Sequence, residues 1–214
     1  IAVSNDAAGS IAYNNIIYGF YNGLANYNSS SVRYYYNNIV YGGINGFVNT
    51  ATASNPILKN NIIVGNTTDY NPGSGTFGSS SSNNISSDAT APGAGSLTSK
   101  SVSDIKFVST ASDFIDLHIM DGSVAKDAGG TLTSVPYDID GNTRPNGANF
   151  DIGADEWFSS SPVYNTTGAY ESASLDLAAA ADFSTLTWNP ASQPANTALR
   201  FEAAANNDNA TWNY

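Results

Sequence analysis

Side chains that could carry polysaccharide chemistry are few in the first half of this sequence. A polysaccharide lyase needs a Lys or Arg base beside calcium-binding carboxylates, and a glycosidase needs two carboxyl groups held about 5 to 10 Å apart. Between residues 1 and 100 the bases considered are Arg33 and Lys59, and the acids are Asp6, Asp69 and Asp88. No two of these acids occupy equivalent positions in the Asn-Asn-Ile repeat of this region, so we predict no catalytic residue here.

A lone histidine and an acidic loop are the other groups that bear on chemistry. His118 has no Cys and no second His with which to share a metal, and no nearby Ser motif with which to form a triad. Residues 138–142 read Asp-Ile-Asp-Gly-Asn, which resembles the start of a calcium loop, but the twelfth position of that pattern is Asn149 rather than an acid. We predict no metal ligand and no cofactor, with calcium at this loop as the alternative.

The composition excludes several classes of partner. The chain has 214 residues, with 7 Lys and Arg against 18 Asp and Glu, and a net charge of −11. Nucleic acids and anionic membrane surfaces need basic patches, so neither is an expected partner. The absence of Cys removes disulfides and thiolate metal sites. No run of about 18 apolar residues occurs, so we expect no membrane insertion.

An internal repeat predicts the elements that would position any site. The triplet Asn-Asn-Ile recurs at a constant spacing, and in the first two copies Tyr-Gly, Asn-Gly and a further Asn follow in the same phase. One such unit cannot bury an apolar face alone, but units stacked about 4.8 Å apart bury a continuous core. The four triplets begin at Asn14, Asn37, Asn60 and Asn83.

This spacing predicts an all-β fold, a right-handed parallel β-helix solenoid with coils of about 23 residues. The Asn pairs predict a ladder at a bend, where side-chain amides pair from coil to coil and Asn tolerates a left-handed backbone. A leucine-rich repeat would show a dense Leu pattern, and a β-sandwich would not hold identities in one phase. The expected inward columns are Ile16, Ile39, Ile62 and Ile85, and Leu24, Phe47 and Tyr70.

Two pairs of Tyr residues follow the same period. Tyr13 aligns with Tyr36, and Tyr18 aligns with Tyr41, so each pair should stack in a column. An exposed aromatic column is a common sugar-binding surface, because the rings pack against pyranose faces. The structural alternative is that these rings cover the sheet and stabilise it across strands.

The regular repeat is interrupted in residues 70–101, whose sequence is rich in Gly, Ser, Asn, Pro and Ala. The fourth triplet survives within it, so we predict one irregular coil that carries a long excursion. Residues 114–119 then return to strand-like alternation. One face of that strand carries Ile115, Leu117 and Ile119, and the opposite face carries Phe114, Asp116 and His118.

Three phrases that follow resemble a known family. Residues 122–129 read Gly-Ser-Val-Ala-Lys-Asp-Ala-Gly, residues 138–145 read Asp-Ile-Asp-Gly-Asn-Thr-Arg-Pro, and residues 151–156 read Asp-Ile-Gly-Ala-Asp-Glu. These three motifs, together with the predicted strands from Phe107 onward, are similar to the terminal coils of right-handed parallel β-helix surface proteins of the choice-of-anchor Q type. Val124 stands where that family commonly has Pro. The resemblance implies a secreted or cell-surface scaffold that is one module of a longer polypeptide, and it implies no reaction.

The same phrases predict a closing device for the stack of coils. Arg144 is one of three Arg residues in the chain. A bidentate Arg–Asp pair that locks two loops is the simplest interpretation of its surroundings. The neighbouring acids in the sequence are Asp138, Asp140, Asp151 and Asp155.

Two parts are predicted along the chain. Residues 1–157 are expected to be the C-terminal part of the β-helix with its capping region. Residues 160–214 are expected to begin a β-sandwich module, which is too short to be complete. The chain starts at Ile1 with no signal peptide, so we expect a piece of a longer polypeptide.

The predicted function is a non-catalytic, adhesin-like scaffold at the extracellular cell surface, with carbohydrate or other copies of the chain as expected partners. The first alternative is a carbohydrate-active, polysaccharide lyase-like enzyme whose catalytic coils lie upstream of Ile1. The second alternative is a subunit of an extracellular filament or surface layer, in which exposed β edges join neighbouring copies.

Overall fold

The computed structural model describes residues 3–4, 9–27, 32–50 and 55–159. They belong to the first of the two units into which the chain divides, Ile1–Ser161. The β-sandwich module predicted for residues 160–214 lies outside the described residues. The strands in chain order are β1 (Val3–Ser4), β2 (Ile11–Tyr13), β3 (Ile16–Tyr18), β4 (Asn22–Asn26), β5 (Tyr34–Tyr36), β6 (Ile39–Tyr41), β7 (Asn45–Asn49), β8 (Ile57–Lys59), β9 (Ile62–Val64), β10 (Thr68–Asn71), β11 (Ile85–Ser86), β12 (Phe107–Ala111) and β13 (Phe114–Ile119).

The fold is all-β, as the sequence predicts. The described residues contain one helix, α1 (Val102–Ile105), which begins after Ser101; the Ser101 hydroxyl accepts a hydrogen bond from the Asp104 N–H. This helix has four residues. Within the described ranges, therefore, no helical segment has the length and apolarity needed to cross a membrane.

Parallel strands are stacked in three sheets. Sheet 1 contains β1, β4, β7 and β10, sheet 2 contains β2, β5 and β8, and sheet 3 contains β3, β6, β9 and β11. The first three repeats each add one strand to sheets 2, 3 and 1 in that order, and the fourth adds β11 to sheet 3. The predicted stacking of equivalent residues from successive repeats is confirmed, because Ile16, Ile39, Ile62 and Ile85 are consecutive register partners in sheet 3, and Leu24, Phe47 and Tyr70 are consecutive partners in sheet 1.

All three sheets contribute to a central apolar cluster. Leu24, Phe47 and Tyr70 in sheet 1 are fully buried there, so the column predicted for these residues is confirmed as an inward one. Their partners in the cluster come from the other two sheets and are Ile17, Tyr35, Val40, Leu58 and Ile63.

The Ile column of sheet 3 is buried on the opposite face from the central cluster. Side chains alternate along a strand, so Val40 points to the central cluster while its neighbour Ile39 points away. The prediction that this column faces inward is therefore wrong, although its residues stack as expected. Sheet 3 is buried on both faces, which explains why β3, β6 and β9 are continuous runs of apolar residues instead of alternating apolar and polar ones. The later residues that cover the Ile column are Ile105, Phe107, Leu117, Ile119, Ala125, Ile152 and Ala154.

Sheet 2 is also covered on its outer side. Tyr36 is buried there against Leu132, Val135 and Phe150. The non-repeating part of the chain thus folds back along the sheets and covers two of them. We call residues 105–157 the covering segment.

Buried asparagines form the predicted ladder. Asn15 Nδ2 donates to Asn38 Oδ1 at 2.8 Å, Asn38 Nδ2 donates to Asn61 Oδ1 at 2.9 Å, and Asn61 Nδ2 donates to Asn84 Oδ1 at 2.9 Å. Each of these acceptor oxygens also receives the backbone N–H of the preceding Asn in the ladder. Amide side chains therefore satisfy one another at the bend between sheets 2 and 3, because each one both donates and accepts.

The first Asn of each triplet makes the sharp bend. Asn14, Asn37, Asn60 and Asn83 have φ values of 52°, 50°, 55° and 52°. Asn is one of the few residues other than Gly that adopts this left-handed backbone readily. The predicted reason for an Asn pair, one residue for the bend and the next for the ladder, is confirmed.

The irregular region after β10 continues the stack with a shorter repeat. Ser82 pairs with Ala94, and Ile85 pairs with Leu97, so these partners are much closer in sequence than those of the regular repeat. The Ser96 hydroxyl accepts the Asn84 N–H at 2.9 Å and takes the place of the next Asn in the ladder. The irregularity is therefore a compact extra layer.

The covering segment begins with an antiparallel hairpin of β12 and β13. Leu117 and Ile119 are buried and Ile115 packs beside them, whereas Phe114 is exposed. The predicted alternation of β13 is therefore confirmed, and it turns the side chain of His118 away from the core.

Gly46 lies in β7 where sheets 1 and 3 approach closely. A β-carbon at this position would overlap Ile63 Cγ2 and lie 2.7 Å from the Asp69 carbonyl oxygen. Gly46→Ala is therefore expected to lower the free energy of unfolding by about 1 to 3 kcal/mol. Urea denaturation followed by far-ultraviolet circular dichroism measures this change.

Gly42→Asn is the matched control for that variant. Gly42 has φ of 70° and no heavy atom within 4 Å of an added β-carbon, and Asn accepts this backbone conformation. An equal loss of stability in both variants would contradict the steric explanation for Gly46.

Candidate functional site

The outward face of β13 carries a histidine held by carboxylates. His118 Nδ1 lies 2.5 Å from Asp116 Oδ1, two residues earlier on the same strand. His118 Nε2 lies 3.2 Å from Asp140 Oδ2. The third carboxylate is that of Asp155, and its Oδ2 accepts the Ile119 N–H at 2.8 Å. The ligand atoms of His118, Asp140 and Asp155 all lie within 4.8 Å of one another.

A tight turn at residues 138–142 places Asp140 beside His118. Asp138 Oδ1 accepts the N–H of Asp140 at 2.9 Å and the N–H of Asn142 at 2.8 Å. The Ile139 N–H donates to the Ala154 carbonyl oxygen at 3.0 Å, which holds the turn against the residue before Asp155. Short-range hydrogen bonds of the Asx type therefore place an otherwise exposed Asp140 beside the strand.

Burial and charge shift the acid–base properties of the cluster. Burial lowers the pKa of His118, but the hydrogen bond to Asp116 and the negative charges of Asp155 and Asp140 outweigh it, so the pKa is raised above its ordinary value. Burial raises the pKa of Asp155 to about 6, against the hydrogen bond from Ile119 and the charge of His118. Burial also acts to raise the pKa of Asp116, yet the hydrogen bonds from His118 leave it lowered.

This cluster was missed by sequence reasoning, because only Cys and His were considered as metal-binding partners for His118. The structure instead brings together His118, Asp140 and Asp155, which are far apart in the sequence. The signal for this cluster in the sequence is the number of Asp residues between positions 138 and 155, which the predicted Arg144 pair does not fully use.

The calcium-loop alternative is not favoured by the geometry. The carboxylate of Asp138 accepts four N–H donors, from Asp140, Asn142 (backbone and side chain) and Glu156. Asn149, the twelfth position of the pattern, is bound to Asp127 through its backbone N–H at 3.0 Å and its side chain at 3.2 Å. The two ends of the supposed loop therefore serve separate turns.

Arg144 joins its own loop to residues 153–156, but its partner is not the predicted Asp. Arg144 Nη1 lies 2.8 Å from Glu156 Oε2, and both side chains are fully buried. Arg144 Nη2 donates to the Gly153 carbonyl oxygen at 2.8 Å. The predicted Arg–Asp pair is wrong because the nearby Asp carboxylates are occupied: Asp151 accepts the backbone N–H groups of Asp127 and Trp157, each at 2.6 Å.

Two of the acids considered for catalysis meet across a loop. Asp69 Oδ2 accepts the N–H of Ser87 at 2.5 Å, and Asp88 Oδ2 accepts the Asp69 N–H at 3.1 Å. The repeat period does not predict the contact between Asp69 and Asp88, because the loop between them departs from the regular repeat. Their oxygens stabilise the loop, and Arg33, considered as a lyase base, is buried.

The predicted Tyr columns are register partners, but only their first members are open to solvent. Tyr13 and Tyr18 are 51% and 52% exposed. Tyr36 is buried under the covering segment, and Tyr41 packs on Phe107 with ring centroids 6.1 Å apart. A sugar ring would therefore meet the first layer of each column.

Comparison with known protein families, with curated proteins and with solved structures finds no match for this chain.

Proposed function

We propose that residues 1–157 form part of a right-handed parallel β-helix that serves as a non-catalytic scaffold at an extracellular surface. The observation that carries this proposal is the common register of the three sheets, in which equivalent residues of successive repeats are paired. A chain that visits three sheets in the same order in each repeat encloses one central cluster. The right-handed twist of β-strands favours a right-handed path between parallel strands.

Burial on both sides of sheet 3 supports a rigid role. Ile62 and Ile63 are adjacent in β9 and both fully buried, one toward the covering segment and the other toward the central cluster. Asn38 and Asn61 add a ladder of buried hydrogen bonds along the stack. Such a stack resists bending, because each layer is held by its neighbours through backbone, amide and apolar contacts.

The polar chemistry also supports a structural role. The carboxylates of Asp69, Asp138 and Asp151 accept hydrogen bonds from backbone N–H groups at turns. Carboxylates used in this way hold loops in place. The extracellular location rests on the resemblance of residues 107–157 to choice-of-anchor Q surface proteins.

Carbohydrate binding is the activity that we propose for the scaffold's surface. Tyr13 and Tyr18 present half-exposed rings on consecutive strands of the chain, β2 of sheet 2 and β3 of sheet 3. We expect Tyr13→Ala and Tyr18→Ala each to weaken glycan binding about fivefold, since losing one stacked ring removes about 1 kcal/mol. A glycan array followed by titration of the strongest sugar measures this.

Phe114→Ala is the matched control, because Phe114 is a 63% exposed aromatic residue on β13. Binding that is unchanged in both Tyr variants, or lost equally in Phe114→Ala, would reject a sugar site at these rings.

The scaffold role itself is tested on intact cells of the source organism. Antibodies against this chain should label cells without permeabilisation. Two outcomes would favour the alternatives: release of unsaturated products from acidic polysaccharides with calcium would favour a lyase, and growth of ordered fibres in electron micrographs would favour a filament subunit. In a filament, edge strands such as β2 of sheet 2 and β3 of sheet 3 would pair with neighbouring copies.

A further inference from the structure

We propose that His118 Nε2 and one carboxylate oxygen from each of Asp140 and Asp155 bind a divalent transition-metal ion of the zinc class. The ion would join three separate parts of the covering segment: strand β13, the turn at residues 138–142, and residue 155. This site goes beyond the scaffold function, which neither requires nor predicts a metal.

The spacing of the three groups suits a small ion. Zinc is bound by imidazole nitrogen and carboxylate oxygen at about 2.0 to 2.2 Å, so two ligands of one tetrahedral ion lie roughly 3.5 Å apart. His118 Nε2 and Asp140 Oδ2 are 3.2 Å apart. With the ligand atom of Asp155 the whole set lies within 4.8 Å. Small movements of the half-exposed Asp140 therefore complete the geometry.

The imidazole is oriented as a ligand. Its Nδ1 lies 2.5 Å from Asp116 Oδ1, so with a metal ion on Nε2 the neutral ring would keep its proton on Nδ1, where Asp116 accepts it. Metal-binding histidines are characteristically fixed in this way, with a carboxylate or carbonyl on the second nitrogen. Asp116 lies outside the proposed ligand set and acts as a positioning residue.

The charge around Asp155 also calls for a cation. Asp155 is buried, and a carboxylate oxygen of Asp140 lies within 4.8 Å of its ligand atom. A divalent ion placed between the Asp140 and Asp155 carboxylates would balance both of them at once.

The donor set favours zinc over calcium. Calcium takes six to eight oxygen ligands, whereas the cluster offers one nitrogen and two carboxylates. Zinc accepts one imidazole with two carboxylates, and a water molecule fills the fourth position.

The experiment uses the whole chain without a polyhistidine tag, treated with chelator and dialysed. Isothermal titration with Zn²⁺ is expected to show one bound ion per chain, and Co²⁺ should give the visible absorption of a site with a nitrogen ligand. His118→Ala and Asp140→Asn should each weaken Zn²⁺ binding at least about tenfold, and Asp116→Asn about 10- to 100-fold through loss of ring orientation. Zn²⁺ should raise the thermal unfolding midpoint of the wild type, and Ca²⁺ at the same concentration should not.

Asp121→Asn is the control for general attraction to an acidic surface. Asp121 has an exposed carboxylate paired with Lys126 and is not a member of the cluster. Circular dichroism of each variant verifies folding, and Asp140→Asn changes only an exposed turn side chain. The proposal is overturned by absence of binding, by binding that is equal in wild type, His118→Ala and Asp140→Asn, or by a site that takes Ca²⁺ and not Zn²⁺.

Discussion

Arg144→Met is expected to lower the free energy of unfolding by about 3 to 5 kcal/mol. The guanidinium and the Glu156 carboxylate are fully buried and 2.8 Å apart, and removing one member of such a pair leaves the other charge without compensation. The loss extends beyond the pair, because Arg144 also donates to the carbonyl oxygen of Gly153. Burial lowers the pKa of Arg144, and Glu156 is the strongest opposing influence on that pKa.

The double variant Arg144→Met/Glu156→Leu separates the charge effect from simple loss of packing. Apolar replacement of both partners removes the stranded carboxylate, so the double variant should be more stable than Arg144→Met alone. It will not regain full stability, because Glu156 also accepts the N–H groups of Asn146 at 2.8 Å and Asp151 at 3.0 Å. Urea denaturation of the four proteins in this cycle gives the coupling energy.

A surface cation provides the control for this cycle. Lys106→Met changes an exposed cation whose ammonium donates to the Asp121 carbonyl oxygen at 3.3 Å, and no measurable change is expected. If Arg144→Met unfolds at the same urea concentration as the wild type, the buried ion pair does not hold the covering segment closed.

Asn61→Ala is expected to lower the free energy of unfolding by about 2 to 4 kcal/mol. It leaves the buried Asn38 backbone N–H without its acceptor, at about 1 to 3 kcal/mol, and removes further hydrogen bonds of the ladder at about 1 kcal/mol each, although Asn84 Oδ1 keeps the Asn61 backbone N–H. The substitution deprives Asn38 of an acceptor for both its backbone and side-chain N–H groups. It also removes the donor to Asn84 Oδ1 and to the Tyr35 carbonyl oxygen. Urea denaturation measures the loss.

Asn15→Ala is the matched control, because Asn15 occupies the partly exposed end of the same ladder. Its side chain donates to Asn38 Oδ1 at 2.8 Å, and that oxygen keeps the Asn15 backbone N–H at 3.0 Å after the substitution. The expected loss is about 1 kcal/mol. Equal losses for Asn15→Ala and Asn61→Ala, measured by urea denaturation, would show that burial of the ladder contributes nothing.

Local features of the repeat were predictable from the sequence. Asn14 and Asn37 adopt the same left-handed backbone because equivalent residues occupy equivalent places in the stack. For the same reason Leu24 and Phe47 stack in register. The conformation and stacking of one repeat therefore predict those of the next, because each repeat packs between similar sequences.

The direction of the Ile column needed the tertiary structure. Ile39 and Val40 are both apolar, so sequence alternation does not show which of them faces the central cluster. The covering segment decides it, by packing Phe107 and Ile152 against Ile39 and its stacked equivalents. That segment lies outside the repeat, so the repeat period does not predict which face of sheet 3 it covers.

Sequence by itself determined the all-β class, the period, the stacked partners and the Asn ladder. Tertiary structure alone decided that Arg144 pairs with Glu156 and that His118 meets Asp140 and Asp155. The physical reason is the range of the interactions. Contacts between repeats recur with the period, so one repeat predicts the others. Contacts of the covering segment join residues far apart in the chain, and backbone N–H groups at turns occupy many of its carboxylates.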